Sequence, residues 1–511
     1  MMKVSNKSIK ERSILDIIVI CYLLLPFTIF IVGWCKWFVW IPGILILGLC
    51  FYRMYRRLDD NDTESGRAFE KLFTGRNTIK WIVVLVLITV WTILSGIGGF
   101  VFQNEDHTYR NALFSMLVNY EWPVKADVFF ENKGIIQTRG LIYYIGFWMP
   151  AAIVGKLFGI QTGYFFQVVW AVTGIFLFYC EVCLFRKKFD VWPFIIWMLF
   201  SGADIIGIFI LYGKAGAPNA TTHLEWWSSP WFQYSSNTTQ LFWVFNQAIP
   251  AWLITVTMLN EKKNNRILFL WATGMINCTL PFVGMIPLMV YVAISNNMRE
   301  HKGRGIKMGF VSFFKEAFTV ENFLGGGFVG LISFAYLWGN VSGGKNNVGQ
   351  LTEIDGAILP LGNYIYIYIV FAIMEFLLYF VVLFRSQKKH HLYWITLLWL
   401  LICPFIHIGS SIDFCMRASI PAIVCLVIMI IQTISEALSR KEKTRLDYAT
   451  VIVLVILLIV GLSTPVHEFT RTVSYTANHY RYVDVTDADV MSGDNFSGNI
   501  EKNLFFNLLA K

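Results

Sequence analysis

Apolar stretches of roughly 14 to 24 residues recur about fourteen times along the chain, each long enough as a helix to cross or nearly cross a hydrocarbon layer. In the core of a bilayer no water meets the backbone, so each stretch must close its own hydrogen bonds as a helix. The stretches lie near 14–33, 38–54, 79–98, 141–158, 164–185, 190–212, 241–259, 267–280, 282–296, 322–339, 364–384, 392–409, 418–437 and 447–463. With 56% of residues hydrophobic and 15% charged, the composition excludes a soluble domain. The predicted fold class is an all-α polytopic membrane protein.

Basic residues set the expected orientation. The net charge is +9, but Lys and Arg gather in short loops at 3–12, 53–57, 262–266, 299–307, 385–389 and 440–445, the pattern of loops kept inside. That distribution gives no reason to expect nucleic acid as a partner. A basic start followed by about twenty apolar residues without a small-residue cleavage site predicts an uncleaved anchor with a cytoplasmic N-terminus in the plasma membrane. If every stretch crossed, the 260–266 loop would fall outside. One segment between 141 and 212 is therefore expected not to cross, leaving about thirteen transmembrane helices. Segment 141–158, with Pro150, Lys156 and the interfacial pair Tyr143-Tyr144, is the first choice; a break at Ser201-Gly202-Ala203-Asp204 is the alternative. Leu280-Pro281 reads as the tip of a hairpin between two short spans.

This parity puts the long polar segments, apart from 53–80, on one outer face. The expected organisation is a transmembrane domain at 1–463, with a first large outer loop at 99–140 and a second at 213–240, then a short outer tail at 464–511, too small for an independent domain. The nine cysteines fall mostly in apolar runs and read as small core residues. No motif demands a metal or other cofactor. Asp60-Asn61-Asp62 and Asp487-Ala488-Asp489 read as solvated turns, Gly325-Gly326-Gly327-Phe328-Val329-Gly330 opens a span rather than following a strand, and no complete Walker loop is present.

Three constellations carry chemistry. In the first outer loop, Ser95-Gly96-Ile97-Gly98-Gly99 ends a span and Glu105-Asp106-His107-Thr108-Tyr109-Arg110 follows, opening an amphipathic pattern to Trp122 that predicts helices along the membrane surface. Adjacent carboxylates, a histidine and an arginine at a hydrocarbon boundary are costly to desolvate, which points to chemistry or a polar ligand. Asp106 suits a general base, held by a neighbouring cation, and Arg110 or His107 suits a phosphate. In the second outer loop, His223, Glu225, Trp226, Trp227, Gln233, Tyr234 and Asn237, with Gln247 at the start of the next span, combine aromatic faces with amides and hydroxyls, as a carbohydrate needs; an interfacial aromatic belt is the plainer alternative. The third is His407 to Arg417, where Asp413 stands four residues before Arg417 as its natural ion-pair partner, a lipid-linked phosphate being the functional alternative with His407 as a second donor.

At these residues the chain resembles the GT-C class of membrane glycosyltransferases. The resemblance is architectural over nearly the whole length and specific at the acidic residue that opens the first large outer loop. It implies a GT-C-like bundle with membrane-surface helices, a polyprenyl-phosphate-linked sugar donor, a glycan, lipid or protein acceptor, catalysis by Asp106 with Glu105 beside it, and Arg417 at the carrier phosphate. Two spans before the acidic one, and a short tail in place of a large outer domain, depart from the better-known members. The competing expectations are a transporter or flippase of a lipid-linked cell-envelope glycan, for which buried mid-membrane charges such as Asp204 and Glu181 would be the sign, and a polysaccharide polymerase or ligase.

Overall fold

In a computed structural model of the chain, residues 6–57, 72, 75–130, 134–216, 223–300, 316–341, 353–354, 357–407 and 412–511 are described. The Asp60-Asn61-Asp62 triplet and residues 408–411 of the third constellation lie outside them.

Among the described residues nine helices are long and apolar enough to cross a membrane: Ile14–Trp34, Trp37–Arg56, Ile160–Arg186, Trp192–Tyr212, Asn237–Asn260, Glu321–Gly339, Leu361–Gln387, Asp413–Ser439 and Arg445–Ala477. The protein is therefore membrane-embedded and mainly helical. Four shorter apolar helices accompany them, Thr78–Leu94, Gly146–Phe158, Ile267–Asn277 and His391–Phe405. The expected set of about thirteen spans divides in this way because apolar composition does not report helix breaks. Ile267–Ala272, Gly274–Asn277, Thr279–Gly284 and Ile286–Glu300 are separate short helices, and the chain bends at Cys278 rather than at Pro281. Segment 141–158 comprises the end of a strand, a turn and the 10-residue helix Met149–Phe158, about 15 Å long and half the hydrocarbon thickness. Helix 192–212 is interrupted by non-helical backbone over Phe200–Ala203.

Burial orders the bundle. The most apolar windows of Asn237–Asn260 and Asp413–Ser439 are 94% buried, whereas that of Arg445–Ala477 is 22% buried. The sequence accounts for the difference: Asn237, Gln240, Asn246, Gln247 and Thr255 cannot face lipid and need protein around them, while Ile452, Val455, Ile456 and Ile459 are exposed on the peripheral helix. Trp252 at the centre stacks on Trp91 at 5.8 Å and donates to Gln240 Oε1 at 2.8 Å. All described cysteines are free thiols, and all but Cys21 are buried. The glycine run at 325–330 packs rather than cradles, Gly325 against Cys50 and Phe269.

The first loop differs from the expected series of membrane-surface helices. It contains one helix, Glu105–Asn119, followed by a hairpin of β1 (Lys125–Phe130) and β2 (Ile135–Leu141), in register from Lys125 opposite Gly140 to Phe130 opposite Ile135. A two-residue ribbon, β3 (Glu353–Ile354) with β4 (Ala357–Ile358), lies elsewhere. The helix is embedded, with Leu113, Phe114, Met116 and Leu117 buried beside the polar His107 and Arg110. The apolar stripe read as lying on the membrane surface, Leu113, Phe114, Leu117 and Val118, is buried within the protein instead. The tail is no separate body: Ser463–Ala477 continues the last span, Asp487–Ser492 follows, and β5 (Ser497–Asn499) adds antiparallel to β2 through Arg139 opposite Asn499.

A tight turn aims the embedded helix. Gly96, Gly98 and Gly99 have φ of +89°, +83° and +76°, values that L side chains rarely adopt. At Gly98 a Cβ would also collide with Val168 and the Tyr164 carbonyl, whereas at Gly99 nothing lies closer than 3.9 Å. Gly98→Ala is expected to lower the unfolding midpoint in detergent by more than Gly99→Ala, which bears the backbone strain of about 1–2 kcal/mol alone. Equal losses would contradict this account of the turn.

Candidate functional site

Helix Glu105–Asn119 is pinned at its start by side chains that bond to backbone. Asn104 donates from Nδ2 to the Phe242 carbonyl at 2.8 Å, and His107 Nε2 faces the Ser95 and Phe242 carbonyls at 3.1 and 3.0 Å. An imidazole nitrogen facing two acceptors must carry the proton, so Nδ1 is left to accept from Gln103 Nε2 at 3.4 Å. The ring stacks on Phe245 at 5.4 Å. Burial first, and then the charge of Arg110, lower the His107 pKa to about 3. His107, predicted from the sequence as a ligand contact, is thus a neutral staple turned away from solvent.

One turn further on, Arg110 donates from Nη2 to Asp106 Oδ2 at 2.8 Å; its side chain is 7% exposed and that of Asp106 43%. The guanidinium lies 5.5 Å from the centre of the Phe245 ring, and its Nε and Nη1 are buried without a hydrogen-bond partner among the described residues. Glu105 is exposed in the same first turn, and the two acids at the helix N-terminus suit its dipole.

Arg417, from the start of Asp413–Ser439, enters the same neighbourhood. Its Nη1 donates to Tyr144 Oη at 2.9 Å, its Nη2 meets Asp413 Oδ1 at 3.2 Å, and its Nε is buried without a partner among the described residues. The Asp413 pairing is the one that the four-residue spacing predicts. Tyr143 donates to Tyr144 Oη at 2.6 Å, the two rings 3.7 Å apart. Asp106 lies near enough to act on Arg417 electrostatically, as does Arg110 on both tyrosines. The fold thus gathers a half-exposed carboxylate, two buried guanidinium groups with unused donors, and two tyrosine hydroxyls. Two planar cations whose N–H groups are not all bonded among the described residues have the chemistry to accept a phosphate or carboxylate. His407 is half-buried and its Nε2 has no partner among the described residues; no described contact joins it to Arg417.

The second loop forms a different arrangement from an open carbohydrate platform. Glu225 accepts from the Ser236 amide at 2.7 Å and from Gln233 Nε2 at 3.1 Å. Tyr234 donates to the Leu400 carbonyl at 2.6 Å and Asn237 to the Trp197 carbonyl at 2.8 Å, and Gln247 is 1% exposed. His223 is held between Glu468 at 2.9 Å and Glu225 at 3.7 Å, while Arg471 pairs with Glu468 and covers Trp243. Burial opposes the His223 imidazolium, but Glu468 and Glu225 outweigh it and raise the pKa; burial pushes Glu225 up as well. Trp226, half exposed, stands edge-on to His223.

Trp227 turns inward and donates from Nε1 to Asp204 Oδ1 at 3.0 Å, while Ser201 and Thr464 bond Oδ2 at 2.9 and 2.6 Å. Glu375, in a wide turn over Ile373–Leu377, lies against Gly202 and acts on the same pocket of charge. Sequence reading missed Glu375, Glu468, Arg471, Tyr143 and Tyr144 as members of polar clusters; an acid inside an apolar run was the available signal for Glu375. Among the described residues no group of three or more His, Cys, Asp or Glu side chains is placed to hold a metal ion. Comparisons with protein-family models, curated proteins and solved structures find no match to this chain.

His107 gives a pH signature. Its folded pKa, about 3, lies below the ordinary 6.5, so between those values the unfolded chain binds a proton that the folded chain refuses. Stability from this group is complete above pH 6.5 and falls as pH drops, by about 1.4 kcal/mol per pH unit. Unfolding midpoints in detergent should show a shallower acid slope in His107→Asn, whose amide still reaches a carbonyl; an unchanged slope would rule out the buried neutral histidine.

Proposed function

We propose that the chain is a membrane glycosyltransferase that moves a sugar from a polyprenyl-phosphate carrier to an acceptor hydroxyl on the outer face of the plasma membrane. The observation that carries this reading is the convergence of Asp106, Arg110 and Arg417, with guanidinium donors buried and unused, beside a carboxylate that is open to solvent. Asp106 takes the proton of the acceptor hydroxyl while that oxygen bonds to the anomeric carbon. The bond from that carbon to the phosphate oxygen breaks, and its electron pair leaves with the polyprenyl phosphate. Arg417 and Arg110 hold the departing anion through N–H groups that are desolvated in advance, so that little reorganisation is needed as charge develops. A single displacement inverts the anomeric centre, and a nearby carboxylate also favours the oxocarbenium-like state between the two bonds. Glu105 lies one residue from the base on the exposed side, and Tyr109 on the same helix and Trp226 on the second loop are exposed aromatic faces available to an acceptor.

A second reading, transport of a lipid-linked glycan, is favoured by Asp204 and Glu375. They are buried far from the ends of their spans, one beside a helix interruption and the other in a wide turn, and such breaks accompany substrate and ion paths. The two readings part in one assay. In membranes given labelled polyprenyl-phosphate sugar, Asp106→Asn should lower transfer by about 10²- to 10⁴-fold with carrier binding intact. Transfer that persists in Asp106→Asn would sink the enzyme mechanism, and labelled lipid crossing the bilayer without transfer would establish transport.

A further inference from the structure

The tail reaches the Arg417 cluster through one aromatic side chain. Phe496 stacks on Tyr109 of the embedded helix at 5.5 Å, almost parallel at 8°, and packs on Tyr143 at 4.8 Å. Its carbonyl accepts from the Ile142 amide at 2.8 Å, which fixes the backbone beside the tyrosine pair. Arg139 of β2, 5% exposed, secures the same segment: Nε donates to Ser497 Oγ at 2.7 Å, and Nη2 to the Ser497 carbonyl and to Asp494, each at 2.8 Å. A buried arginine satisfied by three acceptors of one segment fixes that segment's place.

From Phe496 the contacts run on without a gap. Tyr143, pressed by Phe496, donates to Tyr144 Oη; Tyr144 Oη in turn accepts from Arg417 Nη1. Tyr144 and Asp413 are the two described acceptors of the guanidinium, on Nη1 and Nη2, so a shift of Tyr144 changes one of the two contacts that orient it. Phe496 packs on the Tyr143 ring at 4.8 Å, so a shift of the tyrosine pair must disturb that contact.

We propose that Phe496, held by the Arg139 clamp, is a positioning residue of the anion site: the tail completes the site by fixing Tyr143 and Tyr144, and through them the Arg417 guanidinium. This rests on the reading of Arg110 and Arg417 as a phosphate receptor. It follows that Phe496 acts on anion affinity without touching the anion, and that its effect passes through the Tyr144 hydroxyl.

The test is a double-mutant cycle on the full chain in detergent micelles, with farnesyl phosphate as the probe and farnesol as the uncharged control. Phe496→Ala should weaken farnesyl phosphate binding by about 5- to 10-fold and leave farnesol binding unchanged, and Phe496→Tyr should restore the wild-type affinity. In a Tyr144→Phe background the same Phe496→Ala change should have almost no further effect. Phe496→Leu, which keeps apolar volume but not the flat ring, takes the place of the alanine variant if that one does not fold. A wild-type chain that binds farnesyl phosphate no better than farnesol overturns the phosphate reading itself. A wild type that prefers the phosphate, with Phe496 variants of equal affinity or effects that add to Tyr144→Phe, overturns the positioning role alone.

Discussion

A guanidinium withdrawn from water costs several kcal/mol unless acceptors replace the lost hydration, and beside Asp106 and Tyr144 two are withdrawn and only partly compensated by the described residues. Arg110 has one carboxylate and a ring face; Arg417 has one carboxylate and one phenol. Neither would remain buried in a loose loop, where exposure is cheaper. They stay because each sits on a helix whose other residues are committed elsewhere: Leu113, Phe114 and Leu117 beneath the first, and the wholly buried body of Asp413–Ser439 behind the second. An anion that met the unused donors would recover part of the cost, which is the basis of the proposal.

The supports of this pair come from the full length of the chain. The glycine turn at 96–99 lets the chain double back, His107 and Asn104 tie the new helix to the Phe242 carbonyl, and β2 carries Tyr143 and Tyr144 towards Arg417. Polar contacts between chain segments are strong in a membrane protein when both partners are buried and satisfied. The bonds that hold the helix start are side chain to backbone, and so survive changes in neighbouring side chains. Deeper in the bundle, Asp204 is held as fully as the arginines are not, by Trp227, Ser201 and Thr464. That contrast separates a satisfied polar knot from a site with capacity to spare.

What the sequence revealed follows the range of each interaction. Apolar stretches are local, and the long spans were legible from them, as was the break at Ser201-Gly202-Ala203-Asp204, which the structure places at 200–203; the bend at Cys278 was not, because composition within a window does not record where a helix bends. Asp106 with Arg110 and Asp413 with Arg417 are four residues apart and were legible as pairs. Their meeting was not, since Tyr144 and Arg417 are 273 residues apart and only the fold joins them. The helix at 105–119 was legible, but the hairpin after it and its third strand were not, because Lys125–Phe130 pairs with residues whose own partner lies in the tail. In the second loop, amides and hydroxyls that could satisfy a sugar satisfy protein acceptors equally well: Tyr234 and Asn237 bond the Leu400 and Trp197 carbonyls, and Gln233 bonds the Glu225 carboxylate.

The central claim is that Arg110 and Arg417 keep donors free for a phosphate. The most direct measurement is calorimetric titration of the detergent-solubilised chain with farnesyl phosphate and, separately, with farnesol, for wild type and for Arg110→Met and Arg417→Met. The account predicts that wild type prefers the phosphate and that each methionine variant loses that preference while it still binds farnesol. Equal affinities for the two lipids in wild type, or a preference that survives both substitutions, would contradict it.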